Sequence, residues 1–186
     1  MTSPTQALRN EHDQILRLLD VMEKWTRLLR QGVIPNPAVI TEGIKTFQDY
    51  ADRWHHGREE DLLFPAMAKA EPTAQDTMLA VMRSEHDEGR ALLGRSLELA
   101  DSLGSGEEDN AGQLAGALSA FVALLRNHIH KENHVLFMLA EEWLTDDEMD
   151  DLARAFAARE EELGQDTPHK GVATIDRLSM MDPASV

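Results

Sequence analysis

Six residues define the chemistry open to this chain: His12, His55, Glu59, His86, His128 and Glu132. Imidazole and carboxylate are the donors that hold iron, manganese or zinc, and the chain has no Cys to add a thiolate. His55 with Glu59 and His128 with Glu132 are His-x3-Glu pairs. Residues four apart on a helix share a face and stand about 6 Å apart along its axis. Two ions about 3.5–4 Å apart could therefore share each Glu while its partner His binds one of them. The competing explanation is packing or solvation. It fits a lone His well, but an ionised Glu on a core face costs several kcal/mol unless it is paired or bound to metal. No Lys or Arg lies on the same stripes to pair with Glu59 or Glu132.

The elements that must position these residues are legible from their apolar spacing. A first helix, started by Ser3-Pro4, carries Leu8, Ile15, Leu19 and Met22, and His12 continues that stripe. A second, from about 38 to 70, carries Ile44, Ala51 and Leu62, continued by His55 and Glu59; Pro65 should kink or end it. The third, from about 73 to 103, sets His86 between Met82 and Leu93 and stops at Gly104-Ser105-Gly106. In the fourth, from about 108 to 143, the stripe Leu114, Leu118, Phe121, Leu125, His128, Glu132, Val135, Leu139 is an unbroken alternation of three and four. Thr145 followed by Glu148 is a capping box that starts a shorter fifth helix, from about 146 to 163. The expected architecture is all-α: an antiparallel up-down four-helix bundle in 1–144, an added helix in 145–164 and an irregular C-terminal tail in 165–186.

An internal repeat supports paired ligands. HHGREEDLLF at 55–64 and HIHKENHVLF at 128–137 share the His, the Glu four residues on and the Phe nine residues on, so one helix pair occurs twice and the site is pseudo-twofold. The remaining histidines read as bystanders. His56 sits about 100° round from His55 at the rim of the stripe, and His169 lies in the tail. His130 and His134 are four apart and could act together, but they share the face of Asn127, Lys131 and Met138 and read as an exposed pair. Glu60 and Asp61 read as solvated surface, and Tyr50 and Trp54, which flank the expected site, as packing, although an aromatic beside an oxidising metal pair could carry radicals or shield the pocket.

Composition narrows the partners. With 18 Lys+Arg against 34 Asp+Glu in 186 residues, the net charge is −16, which repels phosphate backbones and anionic lipid, so neither nucleic acid nor membrane is expected. The absence of Cys excludes disulfides, iron–sulfur clusters and a thiolate nucleophile. MTSPTQALRNEHDQ has neither the basic start nor the apolar core of a signal peptide. The longest nearly apolar run, Leu114 to Leu125, is too short to span a bilayer. A cytoplasmic protein is the expectation.

The segments NEHDQI, RWHHGREEDLLFP, SEHDEGR and NHIHKENHVLF, in that order, resemble the hemerythrin-like HHE cation-binding domains over about residues 5 to 143. The resemblance implies a four-helix bundle around two non-haem iron ions, oxo- or hydroxo-bridged, with His12, His55, Glu59, His86, His128 and Glu132 as ligands and both Glu bridging. Oxygen-carrying members have a fifth His one turn before the third-helix ligand and an Asp in the fourth helix. Here those places hold Met82 and Glu132. By count these ligands leave about two positions open on two six-coordinate irons, and openings spread over both would favour reaction with peroxide or NO as much as reversible O₂ binding.

Binding or sensing of a small gaseous or peroxide ligand, in oxidative or nitrosative stress, is therefore the leading expectation; turnover would make the chain a di-iron oxidoreductase. The alternatives are a non-enzymatic iron-handling or storage protein and a bundle that zinc or manganese merely stabilises. Ferritin-like sites need Glu three residues before a ligand His, and no His here has one.

Overall fold

The structure, a computed structural model, describes residues 2–103, 110–164 and 166–182. They form six helices: α1 (Pro4–Arg30), α2 (residues 37–70), α3 (Met78–Asp101), α4 (residues 110–143), α5 (Asp146–Leu163) and α6 (Asp166–Met180), with a 3₁₀ turn at Pro72–Ala74 and no strand among the described residues. The starts follow capping chemistry. Ser3 accepts from the Gln6 N–H and Asn36 from the Ala38 N–H, each ahead of a proline preset for the first turn. Thr145 and Glu148 form the expected capping box of α5. The expected stop at Gly104-Ser105-Gly106 and the start near Glu108 lie outside the described residues.

Helices α1 to α4 run alternately up and down, and their buried apolar residues fall into two clusters at opposite ends of the bundle. Leu8, Leu63, Phe64, Met82 and Leu136 belong to one. Ile15, Ala51, Leu93 and Leu125 belong to the other. On every one of the four helices the expected ligands lie between the two clusters, so the polar residues form a belt around the middle of an otherwise apolar core.

Two helices are not wound as α throughout. In α2, Gln48–His56 and Glu59–Leu63 are π-helical, and in α4 so is Glu132–Leu136. The N–H of Gly57 reaches the Asp52 carbonyl, that of Phe64 reaches Glu59, and that of Phe137 reaches Glu132, each five residues back. A π-turn contains one residue more than an α-turn, so the apolar face beyond it moves on by one position. Leu62 and Val135, expected on the core stripe, are displaced from it: Leu63 and Leu136 are fully buried instead, and Val135 is 46% exposed. The same widening carries α2 through Pro65. Proline has no N–H to offer the Glu60 carbonyl, and Arg83 Nη2 reaches that oxygen at 3.2 Å in its place.

Residues 166–180 correct the expectation of an irregular tail, for they form α6. Pro168 suggests a break, but it lies in the first turn, where backbone N–H groups have no helical acceptor. Gly171, Ile175 and Leu178 follow at helical spacing and are buried. α6 packs on α1 and α2, where Arg17 pairs with Asp176 at 2.7 Å. At Gly171 an added Cβ would stand 2.6 Å from Tyr50 Cδ2, so this close approach requires glycine. Among the described residues no helix is long and apolar enough to cross a membrane.

Candidate metal centre

All six expected residues meet in the belt, and a seventh joins them. His12, His55, Glu59 and Glu132 form one group; His56, Glu59, His86 and His128 form a second. In each group the donor atoms lie within 4.8 Å of one another. Both carboxylates face both halves. Glu132 Oε2 is 3.1 Å from His12 Nε2 while Oε1 is 3.1 Å from His128 Nε2. Glu59 Oε1 is 3.5 Å from His55 Nε2 and Oε2 is 3.7 Å from His86 Nε2. Glu59 and Glu132 are both 0% exposed.

The surrounding residues fix which nitrogen of each ring faces inward. His12 Nδ1 lies 2.8 Å from Asn133 Oδ1, His55 Nδ1 2.9 Å from Glu11, His86 Nδ1 2.6 Å from Glu60 and His128 Nδ1 2.9 Å from Glu85. Carboxylate and amide oxygens only accept, so each Nδ1 carries the proton and each Nε2 turns a lone pair to the centre. His86 Nε2 and His128 Nε2 face each other at 2.9 Å. The Nε2 atoms of His12 and His55 and all four oxygens of Glu59 and Glu132 are buried without a hydrogen bond. Converging lone pairs on orphaned buried atoms fit metal ions and fit little else.

Protons are the alternative way for this chain to balance its buried charge. Burial and the neighbouring Glu132 push the Glu59 carboxyl well above the usual range. Burial opposes ionisation of Glu132 too, but His128 and His12 outweigh it and hold that carboxyl low. Burial disfavours charge on His128, yet Glu132 and Glu85 raise it to about 9. Burial depresses His55 to about 4 and holds His56 well below the usual imidazole range. Metal binding would therefore displace protons from Glu59 and His128.

The outer residues repeat with the same pseudo-twofold pattern. Glu11 and Glu85 each precede the single His of their own helix and each supports the first His of the His-x3-Glu pair on the following helix. Arg58 binds Glu11 as Lys131 binds Glu85, and Trp54 Nε1 adds a 3.0 Å bond to Glu11. Glu60 and Asn133 each follow a central carboxylate and support the single His. Sequence reasoning missed this layer, although Glu-His-Asp at 11–13 and again at 85–87 signals it.

Two expectations are corrected, those for Glu60 and His56, and the one for Trp54 is extended. Glu60 is no free surface carboxylate. Against the opposing effect of burial, His86 and Arg90 hold it down to about 2. Trp54 supports the outer layer as well as packing. His56 is not a rim residue but 5% exposed, its ring 3.9 Å from that of His86. Its helix is π-wound there, so consecutive residues turn through a smaller angle than in α and both His55 and His56 face inward. His130 and His134 stay outside the belt, exposed as expected, and so does His169.

Residues 2–140 match the family described as the hemerythrin HHE cation binding domain, and the chain belongs to it. Similar curated proteins include an uncharacterized protein of Mycobacterium bovis and uncharacterized proteins of two Mycobacterium tuberculosis strains, each 25% identical over 161 residues. The alignment covers 86% of this chain but 62% of theirs, so the chain spans less than two thirds of the relatives it matches. No solved structure matches it.

Proposed function

We propose that this chain holds two non-haem iron ions and binds or reduces a small ligand, O₂, NO or peroxide. The observation that carries the reading is the pair of donor groups sharing carboxylates. Glu59 and Glu132 each turn one oxygen to either half, so two ions held there would be bridged. An all-nitrogen-and-oxygen donor set suits iron, which supplies the redox chemistry when bound.

The chain's own residues do the rest. His12 and His55 would hold one ion, and His56, His86 and His128 the other. That division makes the two halves inequivalent, where the six ligands implied by the family resemblance divide evenly. Five imidazoles and two shared carboxylates are fewer donors than two six-coordinate ions take, which leaves room for an added ligand. The space is small. A cavity of about 10 Å³ beside His56 and His86 is walled by Phe47, Leu93, Phe121 and Leu125, close to the volume one water fills. A space of that size suits a diatomic molecule or peroxide. The burial of every ligand also speaks against iron storage, which needs ions to pass freely.

Metal analysis with the visible spectrum tests the proposal. The expected result is two irons per chain and ferric absorption that shifts with azide, NO or peroxide. A colourless protein carrying two zinc ions and indifferent to those ligands would overturn it. Repeated consumption of peroxide or NO would identify an enzyme, and a stoichiometric reaction a sensor or carrier.

A further inference from the structure

Helix α4 carries a second histidine pair that the buried centre does not use. His130 and His134 are exposed and stand one turn apart with ring centroids 4.2 Å from each other and planes inclined by 30°. His134 Nδ1 lies 2.8 Å from the His130 carbonyl oxygen. A carbonyl only accepts, so Nδ1 carries the proton and Nε2 keeps its lone pair free. The bond spans the point where α4 passes from α to π winding, which anchors the His134 ring to the backbone beside its partner. Neither ring forms an ion pair with a carboxylate among the described residues. Met138, four residues further along, is 57% exposed.

We propose that His130 and His134 form a surface metal site, separate from the buried centre, for a divalent first-row transition ion. Two histidines at i and i+4 on one helix face are a chelating pair, the spacing that binds zinc in helical His-x3-His sites. Imidazole donors suit copper, nickel and zinc, whereas calcium and magnesium need oxygen donors that this pair lacks. Copper(II) binds most tightly in the divalent series and is therefore the ion with which to probe the pair. Solvent completes the coordination, so the ion exchanges freely, unlike one enclosed by the belt.

Copper(II) titration of the full chain, read by calorimetry and by the electron paramagnetic resonance of the bound ion, tests the site. Wild type is compared with His130→Ala, His134→Ala and, as a control, His169→Ala. All three side chains are exposed, so the fold is not at stake, and circular dichroism checks it. The buried ligands are the same in all four proteins, so differences in uptake report the surface alone. Wild type and His169→Ala should bind one copper more than either pair variant, with nitrogen hyperfine structure on the extra signal. Equal uptake by wild type and the pair variants would overturn the proposal, as would loss of the same copper in His169→Ala.

Discussion

What an imidazole does is decided by its second nitrogen. At His12, His55, His86 and His128 that nitrogen is engaged by Asn133, Glu11, Glu60 and Glu85, and the inward lone pair follows from it. Replacing such a partner disturbs the ligand without removing it. Glu11→Gln should weaken metal binding about 10–100-fold, because a neutral amide replaces the carboxylate that faces the His55 ring and Arg58. Competition with a chelator of known affinity measures this, and unchanged affinity would show that the outer layer only packs. Residue type and spacing made the six inner ligands legible, since buried glutamates on apolar stripes have few explanations. The outer layer was harder to see because Glu11, Glu60 and Glu85 sit where a solvated helix face would also put carboxylates.

Elements fixed by apolar period and capping were legible nearly to the residue, as α5 and its capping box show. The π-turns were not. Nothing in the spacing of Glu132, Val135 and Leu139 distinguishes a helix that adds a residue per turn from one that does not. The unbroken alternation therefore gave Val135 a core position that Leu136 occupies. His56 was lost for the same reason. Pro168 and Gly171 are helix breakers on average, whereas in α6 one falls in the first turn and the other at a close approach. Alanine in place of an interior helical glycine usually stabilises by up to about 1 kcal/mol. Gly171→Ala should reverse that sign, because its Cβ would meet Tyr50 at 2.6 Å, and overpacking of this kind costs about 1–3 kcal/mol. Denaturant midpoints of the two proteins decide it, and a raised midpoint would mean that α6 does not seat on Tyr50.

At the scale of the molecule, a polar belt lies between two apolar clusters that need no ion to stay buried. Removing metal should therefore leave the helical circular dichroism intact while lowering the melting temperature, because a ligand bound only to the folded state stabilises it by about 2.7 kcal/mol at 100 times its Kd. Loss of metal should be easier as pH falls. Glu59 is raised above the usual carboxyl range and His128 to about 9, so protons return to both and compete with the ion. Unfolding on chelation would refute the independence of the two ends, and pH-independent metal loss would refute the competition.

The π-turns beginning at Glu59 and Glu132 bear on changes of chain length. Each makes its helix one residue longer than straight α-winding between the same end points requires. Deleting one residue from 60–62 or from 133–135 would let the turn tighten to α, with the apolar faces on either side still in register. In the α-wound parts of these helices a single deletion would rotate everything beyond it by about 100°. The bundle is thus most tolerant of shortening at the two places where its centre is least so. The extra residue belongs to the site and not to the scaffold.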